Sequence, residues 1–323
     1  MLRAVVRGYG ACLPQKIVTN AELEKRVETS DAWIVERTGI RQRHIAAEGE
    51  LTSHLGTKAA QAALEKAGLN PDDIDLIVLA TTTPDDTMPS TATKVQHALG
   101  MTRGAAFDIN AACSGFVYAM SVADSFIRSG GAKRVLVIGA ETYSRILNWE
   151  DRTTCILFGD GAAALVLEAV DGKGKTSDRG VLATRIHSDG QYHSILNTTG
   201  GVSSTQDAGF LTMAGKEVFR HGVAKMADVV VEEMKALGIP MESVDWVIPH
   251  QANFRILHGV AKRLELPEEK LISTVDRHAN TSAASIPLAL AYGADQGKIK
   301  QGQLLVMPAL GAGLTWGACI LRW

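Results

Sequence analysis

Three segments of this 323-residue chain hold the side chains best suited to chemistry: Asn110-Ala-Ala-Cys-Ser-Gly115, His250-Gln-Ala-Asn253 and His278-Ala-Asn-Thr-Ser282. They offer a thiol at Cys113, an imidazole at His250 and a carboxamide at Asn280. A nucleophilic cysteine whose histidine and asparagine partners lie elsewhere in the sequence suits acyl chemistry. Cys113 follows the apolar run Ala105–Ile109 and opens a helical pattern with Phe116, Val117, Met120 and Ala123 on one face. A thiol at a helix N-terminus feels partial positive charge, which predicts a stabilised thiolate. Ala111, Ala112 and Gly115 leave room for a substrate. His250 ends the strand-like run Trp246–Pro249, and ligands of α/β sheets bind at such strand ends. Taken alone, a free cysteine is usually a buried hydrophobe, and Asn280 reads as a turn residue or helix cap.

The elements that must position these groups follow βαβ grammar. Nearly continuous apolar runs read as strands covered on both faces: Leu76–Ala80, Ala105–Ile109, Val135–Gly139, Ala163–Leu167, Trp246–Pro249, Leu304–Met307 and Ala318–Leu321. Helical patterns intervene at Thr57–Ala67, Phe116–Arg128, Val218–Leu237 and Phe254–Leu264. A repeat is visible: Lys66-Ala-Gly-Leu-Asn-Pro-Asp-Asp-Ile-Asp-Leu-Ile-Val resembles Ala236-Leu-Gly-Ile-Pro-Met-Glu-Ser-Val-Asp-Trp-Val-Ile, offset by 170 (238 − 68, 245 − 75). Val135-Leu-Val-Ile aligns with Leu304-Leu-Val-Met at an offset of 169 (304 − 135), which sets Cys113 against Ser282. The polar, Gly-rich stretch Asp171–Gly180 reads as the seam, giving halves of 1–172 and 173–323.

Composition narrows the partners. Apolar residues make up 46% and aromatics only 5%, with 31 glycines, which suits packed α/β layers. A net charge of −2 supplies no global attraction to nucleic acid or membrane. No apolar stretch approaches the roughly 18 residues of a membrane span, and the start lacks a signal-peptide pattern. The four cysteines are scattered without a C-x-x-C pair, which favours a reducing cytoplasm over disulfides or structural zinc. Cys12, Cys155 and Cys319 read as buried hydrophobes. Leu310-Gly-Ala-Gly-Leu-Thr-Trp-Gly317 lies between two strands, so it is no dinucleotide fingerprint, and it is placed to offer backbone N–H groups to an oxyanion.

Taken together, the motifs resemble β-ketoacyl-[acyl-carrier-protein] synthase III. The resemblance runs end to end, through Thr38-Gly-Ile-Arg-Gln-Arg43, Asp108–Gly115, Phe158-Gly-Asp-Gly-Ala-Ala163, Met213-Ala-Gly-Lys-Glu-Val-Phe219, Pro249–Asn253, His278–Ser285 and Gly313–Gly317. It implies an α/β, thiolase-like five-layer αβαβα fold of two duplicated βαβ halves, assembled as a homodimer. It implies decarboxylative condensation of an acyl-coenzyme A primer with malonyl-acyl carrier protein, with no cofactor and no metal. It places catalysis on Cys113, His250 and Asn280, and the oxyanion hole on the N–H groups of Cys113 and Ala312. Coenzyme A falls to Trp33, Arg37, Arg152 and Asn253. The acyl carrier protein falls to Gln251, Arg255, Lys262, Arg263 and Arg220, and the acyl pocket to Met88 across the dimer. Two positions depart from the family's glycines, Ala312 and Ala279, and a left-handed φ at Ala312 would be strained. Residues 308–311 hold no cysteine, unlike thiolases. A papain-like protease shares the order Cys, His, Asn, but this chain lacks the Cys-Gly-Ser-Cys-Trp signature, and that reading leaves the repeat unexplained. A binding module without catalysis is the third reading.

Overall fold

Leu76-Ile-Val-Leu-Ala80 is buried at every position because the sheet it joins is covered on both faces. A computed structural model describes all residues from Met1 to Trp323. The first half runs β1 (Leu2–Cys12), β2 (Lys16–Thr19), α1 (Asn20–Leu23), α2 (Asp31–Thr38), β3 (Gln42–Ile45), α3 (Thr52–Ala67), β4 (Leu76–Ala80), α4 (Thr91–Ala98), β5 (Ala105–Ile109), α5 (Gly115–Arg128), β6 (Arg134–Glu141) and β7 (Gly161–Asp171). The second runs β8 (Gly180–Ser188), β9 (Leu196–Thr198), β10 (Leu211–Met213), α6 (Gly215–Leu237), β11 (Trp246–Val247), α7 (Phe254–Arg263), α8 (Val275–His278), α9 (Ser285–Asp295), β12 (Leu304–Gly311) and β13 (Thr315–Arg322).

Alternation along each strand sorts side chains into layers. Ile77, Leu79, Leu136 and Ile138 pack on Leu55, Ala59 and Ala63 of α3 and Val95 of α4. Val78, Val135 and Val137 point the other way, onto Phe116, Val117 and Met120 of α5. From the second sheet, Leu305, Met307 and Cys319 join that same central layer, with Ala289 and Leu290 of α9. Leu304, Val306 and Ile320 face outward onto Met226 and Val230 of α6 and Val260 of α7. The result is the five-layer αβαβα arrangement. The central helices lie between two sheets, so Phe116 and Met120 are fully buried, each contributing about 2 kcal/mol of transfer free energy.

The sheets are copies. One has the order β1-β7-β6-β4-β5, the other β8-β13-β12-β11, and Leu271 bridges Val247 in parallel where β5 stands in the first. Leu76 pairs with Val135, and Trp246 with Leu305, so both partners are displaced by 170 residues (246 − 76, 305 − 135). This corrects the offset of 169 read from the late strands. A one-residue slip is invisible in a strand that is apolar at every position. Cys113 therefore corresponds to Ala283, and Ser282 to Ala112; both of the latter have left-handed φ, 49° and 48°. Strand β11 is only two residues long because Pro308, facing it on β12, has no N–H to donate to Ile248 O. The ladder resumes around it: Ile248 N–H donates to Val306 O at 2.9 Å and His250 N–H to Pro308 O at 2.9 Å.

Candidate active site

Cys113 lies in the turn from β5 into α5. Ser114 N–H and Oγ both donate to Ala111 O, at 3.2 and 2.7 Å, and the left-handed Ala112 swings the chain inward. The thiol is buried. Burial pushes its pKa up to about 12, against hydrogen bonding from Ser282 and with added repulsion from Glu141. The loss of water around sulfur thus opposes the thiolate that the helix end is expected to favour.

His250 ends the resumed ladder beyond β11. Its Nδ1 is 2.7 Å from Ser285 Oγ. Burial pushes the imidazole down to about 3, so it is neutral at physiological pH. Asn280 is clamped through its backbone: its N–H donates to Leu157 O at 2.9 Å, and its O accepts the Gly159 N–H at 3.0 Å. Its Oδ1 accepts the Ser282 N–H at 2.8 Å. With the oxygen committed to the turn, Nδ2 is left as a donor for the cavity that Asn280 lines. Between His278 and Asn280, Ala279 takes φ 58° and ψ −157°, a region that is essentially glycine's alone.

The hairpin joining β12 to β13 closes on this turn. Ala312 is outside the left-handed region; Gly313 takes it instead, at φ 130°. The backbone strain expected at Ala312 therefore falls on Ala279. Ala312 N–H has no acceptor within the chain. A Cβ on Gly311 would stand 2.7 Å from the Cys113 amide nitrogen, so only glycine lets the hairpin come this close. Thr315 Oγ1 fastens the two segments, lying 2.9 Å from Ala111 O and 3.0 Å from Ala312 O. Sequence reasoning missed Thr315, whose only signal was its place beside the glycine loop.

Cys113, His250 and Asn280 line the buried end of one cavity of about 800 Å³. Its exposed end holds Trp33, Arg37, Arg152, Asn253 and Arg255. The Arg37 and Arg152 guanidinium groups lie over the Trp33 ring, 4.6 and 5.3 Å from its centroid. Asn253 Oδ1 caps α7 by accepting the Ile256 N–H at 3.0 Å. Lys216 is a fourth cation in the wall, and no Asp or Glu lines it. The sequence marked Lys216 only through the segment Met213–Phe219.

Other expected contacts lie apart. Gln251 is fully buried: Nε2 donates to Pro249 O at 2.7 Å and Ile272 O at 3.3 Å, and Oε1 accepts the Thr274 N–H at 2.8 Å. Its expected contact with a carrier protein is corrected, because both polar atoms of its side chain are spent on neighbouring backbone. Arg263 is paired with Asp228 at 2.7 Å. Arg220 and Lys262 are exposed outside the cavity, and Met88 is 83% exposed and outside its own chain's cavity. Cys155 and Cys319 are buried, whereas Cys12 is only half-buried. No cluster of three or more His, Cys, Asp or Glu converges to hold a metal, and no helix is long and apolar enough to cross a membrane.

Comparison with known proteins fits this geometry. Residues 107–190 match the family described as 3-oxoacyl-[acyl-carrier-protein (ACP)] synthase III, and residues 234–323 match its C-terminal family. The β-ketoacyl-[acyl-carrier-protein] synthase III of Agrobacterium fabrum is 58% identical over 323 residues, covering 100% of both chains. That of Brucella suis is 57% identical over the same full lengths. The crystal structure of 3-oxoacyl-[acyl-carrier-protein] synthase III from Aquifex aeolicus superposes with a TM-score of 0.93 at 47% identity, covering 99% of this chain and 100% of that one. Two duplicated halves that bring a thiol, an imidazole and a carboxamide to one cavity define a thiolase-like condensing enzyme, an acyltransferase. Within that class, the chain belongs to the β-ketoacyl-[acyl-carrier-protein] synthase III family.

Proposed function

We propose that the protein condenses a short acyl-coenzyme A, acetyl-coenzyme A by default, with malonyl-acyl carrier protein. The products are 3-ketoacyl-acyl carrier protein, CO2 and coenzyme A, and the step initiates fatty-acid synthesis. The observation that carries this reading is the convergence of Cys113, His250 and Asn280 on one cavity whose outer wall holds four cations and no carboxylate.

Cys113 Sγ attacks the thioester carbonyl. The N–H groups of Cys113 and Ala312 receive the oxyanion, each such donor being worth roughly 3 kcal/mol. The carbon–sulfur bond to coenzyme A breaks, and the thiol proton leaves on the coenzyme A sulfur. The exchange needs no net proton transfer to His250, which burial keeps neutral. In the second half, the bond from the malonyl methylene to its carboxylate breaks and CO2 departs. The electron pair passes to an enolate, whose oxygen accepts hydrogen bonds from His250 Nε2–H and Asn280 Nδ2–H. The carbanion attacks the acyl-cysteine, and the released thiolate takes a proton from solvent.

Arg37, Arg152 and Lys216 meet the phosphates, Trp33 offers a face for the base, and Asn253 Nδ2 contacts the pantetheine arm. The carrier protein, acidic as a class, docks at Arg255 with Lys262 and Arg220 beyond it. Strand β5 is a sheet edge with Phe107 and Ile109 partly exposed, which favours pairing with a second copy in a homodimer and brings Met88 to the partner's acyl end. A Cys113→Ala protein given malonyl-acyl carrier protein is expected to release CO2 without condensing. Unchanged condensation would remove Cys113 from the covalent step.

A further inference from the structure

The displacement shared by the two ladders sets Ala80 opposite His250 and Gly115 opposite Ser285. In the N-terminal half these positions touch without polar groups: a Cβ on Gly115 would stand 3.1 Å from the Ala80 Cβ. In the C-terminal half the same two positions hold an imidazole and a hydroxyl, with His250 Nδ1 and Ser285 Oγ 2.7 Å apart. Ser285 Oγ also accepts the Gln251 N–H at 3.2 Å. That N–H is held in place because the Gln251 side chain is anchored to Pro249, Ile272 and Thr274. Both His250 and Ser285 are buried.

We infer that Ser285 is a positioning residue for decarboxylation, fixing His250 as the tautomer with its proton on Nε2. The inference rests on the role proposed above for His250. A hydroxyl has one proton to give. One side of Ser285 Oγ already faces the Gln251 N–H, and its other hydrogen bond is with His250 Nδ1. The hydroxyl therefore donates to Nδ1. The opposite arrangement, Nδ1–H donating to Oγ, would leave the hydroxyl proton buried without an acceptor. With Nδ1 as acceptor, the imidazole proton sits on Nε2, the nitrogen left to serve the cavity. This is the arrangement in which a partner on one ring nitrogen sets the task of the other.

The test separates Ser285 from the mechanism it serves. In a Cys113→Ala background, Ser285→Ala is expected to slow CO2 release from malonyl-acyl carrier protein roughly tenfold. In the otherwise native enzyme, acylation of Cys113 by acetyl-coenzyme A is expected to stay within about twofold of normal. Ser285→Thr, which keeps the hydroxyl, is expected to recover most of the lost rate. With ¹⁵N-labelled histidine, His250 in the native enzyme is expected to show a protonated Nε2 and an unprotonated Nδ1, and Ser285→Ala to blur that distinction. Unchanged CO2 release with an unchanged nitrogen spectrum would overturn the inference, and so would equal losses in both half-reactions. If Cys113→Ala itself releases no CO2, the role of His250 fails, and the nitrogen spectrum alone then decides that of Ser285.

Discussion

In the N-terminal turn, Asn110 Oδ1 accepts the Ala112 N–H at 3.3 Å; in the C-terminal turn, Asn280 Oδ1 accepts the Ser282 N–H at 2.8 Å. A left-handed residue follows in each, and each turn leads into a helix, α5 at Gly115 and α9 at Ser285. The side chains put to use differ. Asn110 is exposed and lines no part of the cavity, whereas Asn280 is buried and does. Cys113 stands where the other turn has Ala283. One backbone design thus presents its fourth residue in one half and its first in the other. Duplication supplied the frame; burial on the shared cavity decided which position became reactive. The approach differs too: Asn110 follows the regular strand β5, while Asn280 follows the short helix α8 and the contorted Ala279.

The pair can be pulled apart experimentally. The largest effect is expected at Cys113. With its thiol raised to about 12, only the rare thiolate reacts. Its alkylation by iodoacetamide should rise about tenfold per pH unit between pH 6 and 9, because the thiolate fraction grows in that proportion below the pKa. A plateau below pH 8 would show that the helix end, rather than burial, governs this turn. A smaller effect is expected away from both turns, at the cationic outer wall of the cavity. Lys216→Glu should raise KM for acetyl-coenzyme A roughly tenfold while leaving kcat nearly unchanged; a fall in kcat alone would remove Lys216 from binding. The smallest concerns the strained approach to Asn280. Ala279→Gly should relieve about 1 kcal/mol and raise Tm by roughly 2 °C. A lower Tm would mean that the buried Cβ of Ala279 contributes more than its φ costs.

Much of this was legible in the sequence, and particular residues show where legibility stopped. Strands β4, β5 and β6 announce themselves as apolar runs because both their faces are covered. Strands β1 and β8 carry arginines and did not stand out; Arg3 is buried, its guanidinium reaching the carbonyls of Val181 and Leu182, while Arg185 pairs with Glu233. Cys113 and His250 could be picked out because reactive side chains stood at strand ends, and Asn280 because it lies in a run of small and polar residues before a helix. Gln251 stood among them and looked equally available, but its hydrogen bonds run to backbone brought together only by folding. Ala312 and Ala279 are chemically identical, and nothing local told which would bear the unusual φ. Ser285 and Thr315 look like ordinary small polar residues, and their partners lie 35 and 204 residues away.

The division of labour between the turns is tested most directly by an Asn280→Ala protein followed through both half-reactions. Intact-mass analysis reads acetyl transfer from acetyl-coenzyme A to Cys113, and release of labelled CO2 reads decarboxylation of malonyl-acyl carrier protein. The predicted result is acetyl-Cys113 forming at close to the native rate while CO2 release falls by on the order of a hundredfold. The contradictory result is acylation lost in step with decarboxylation, or decarboxylation left intact.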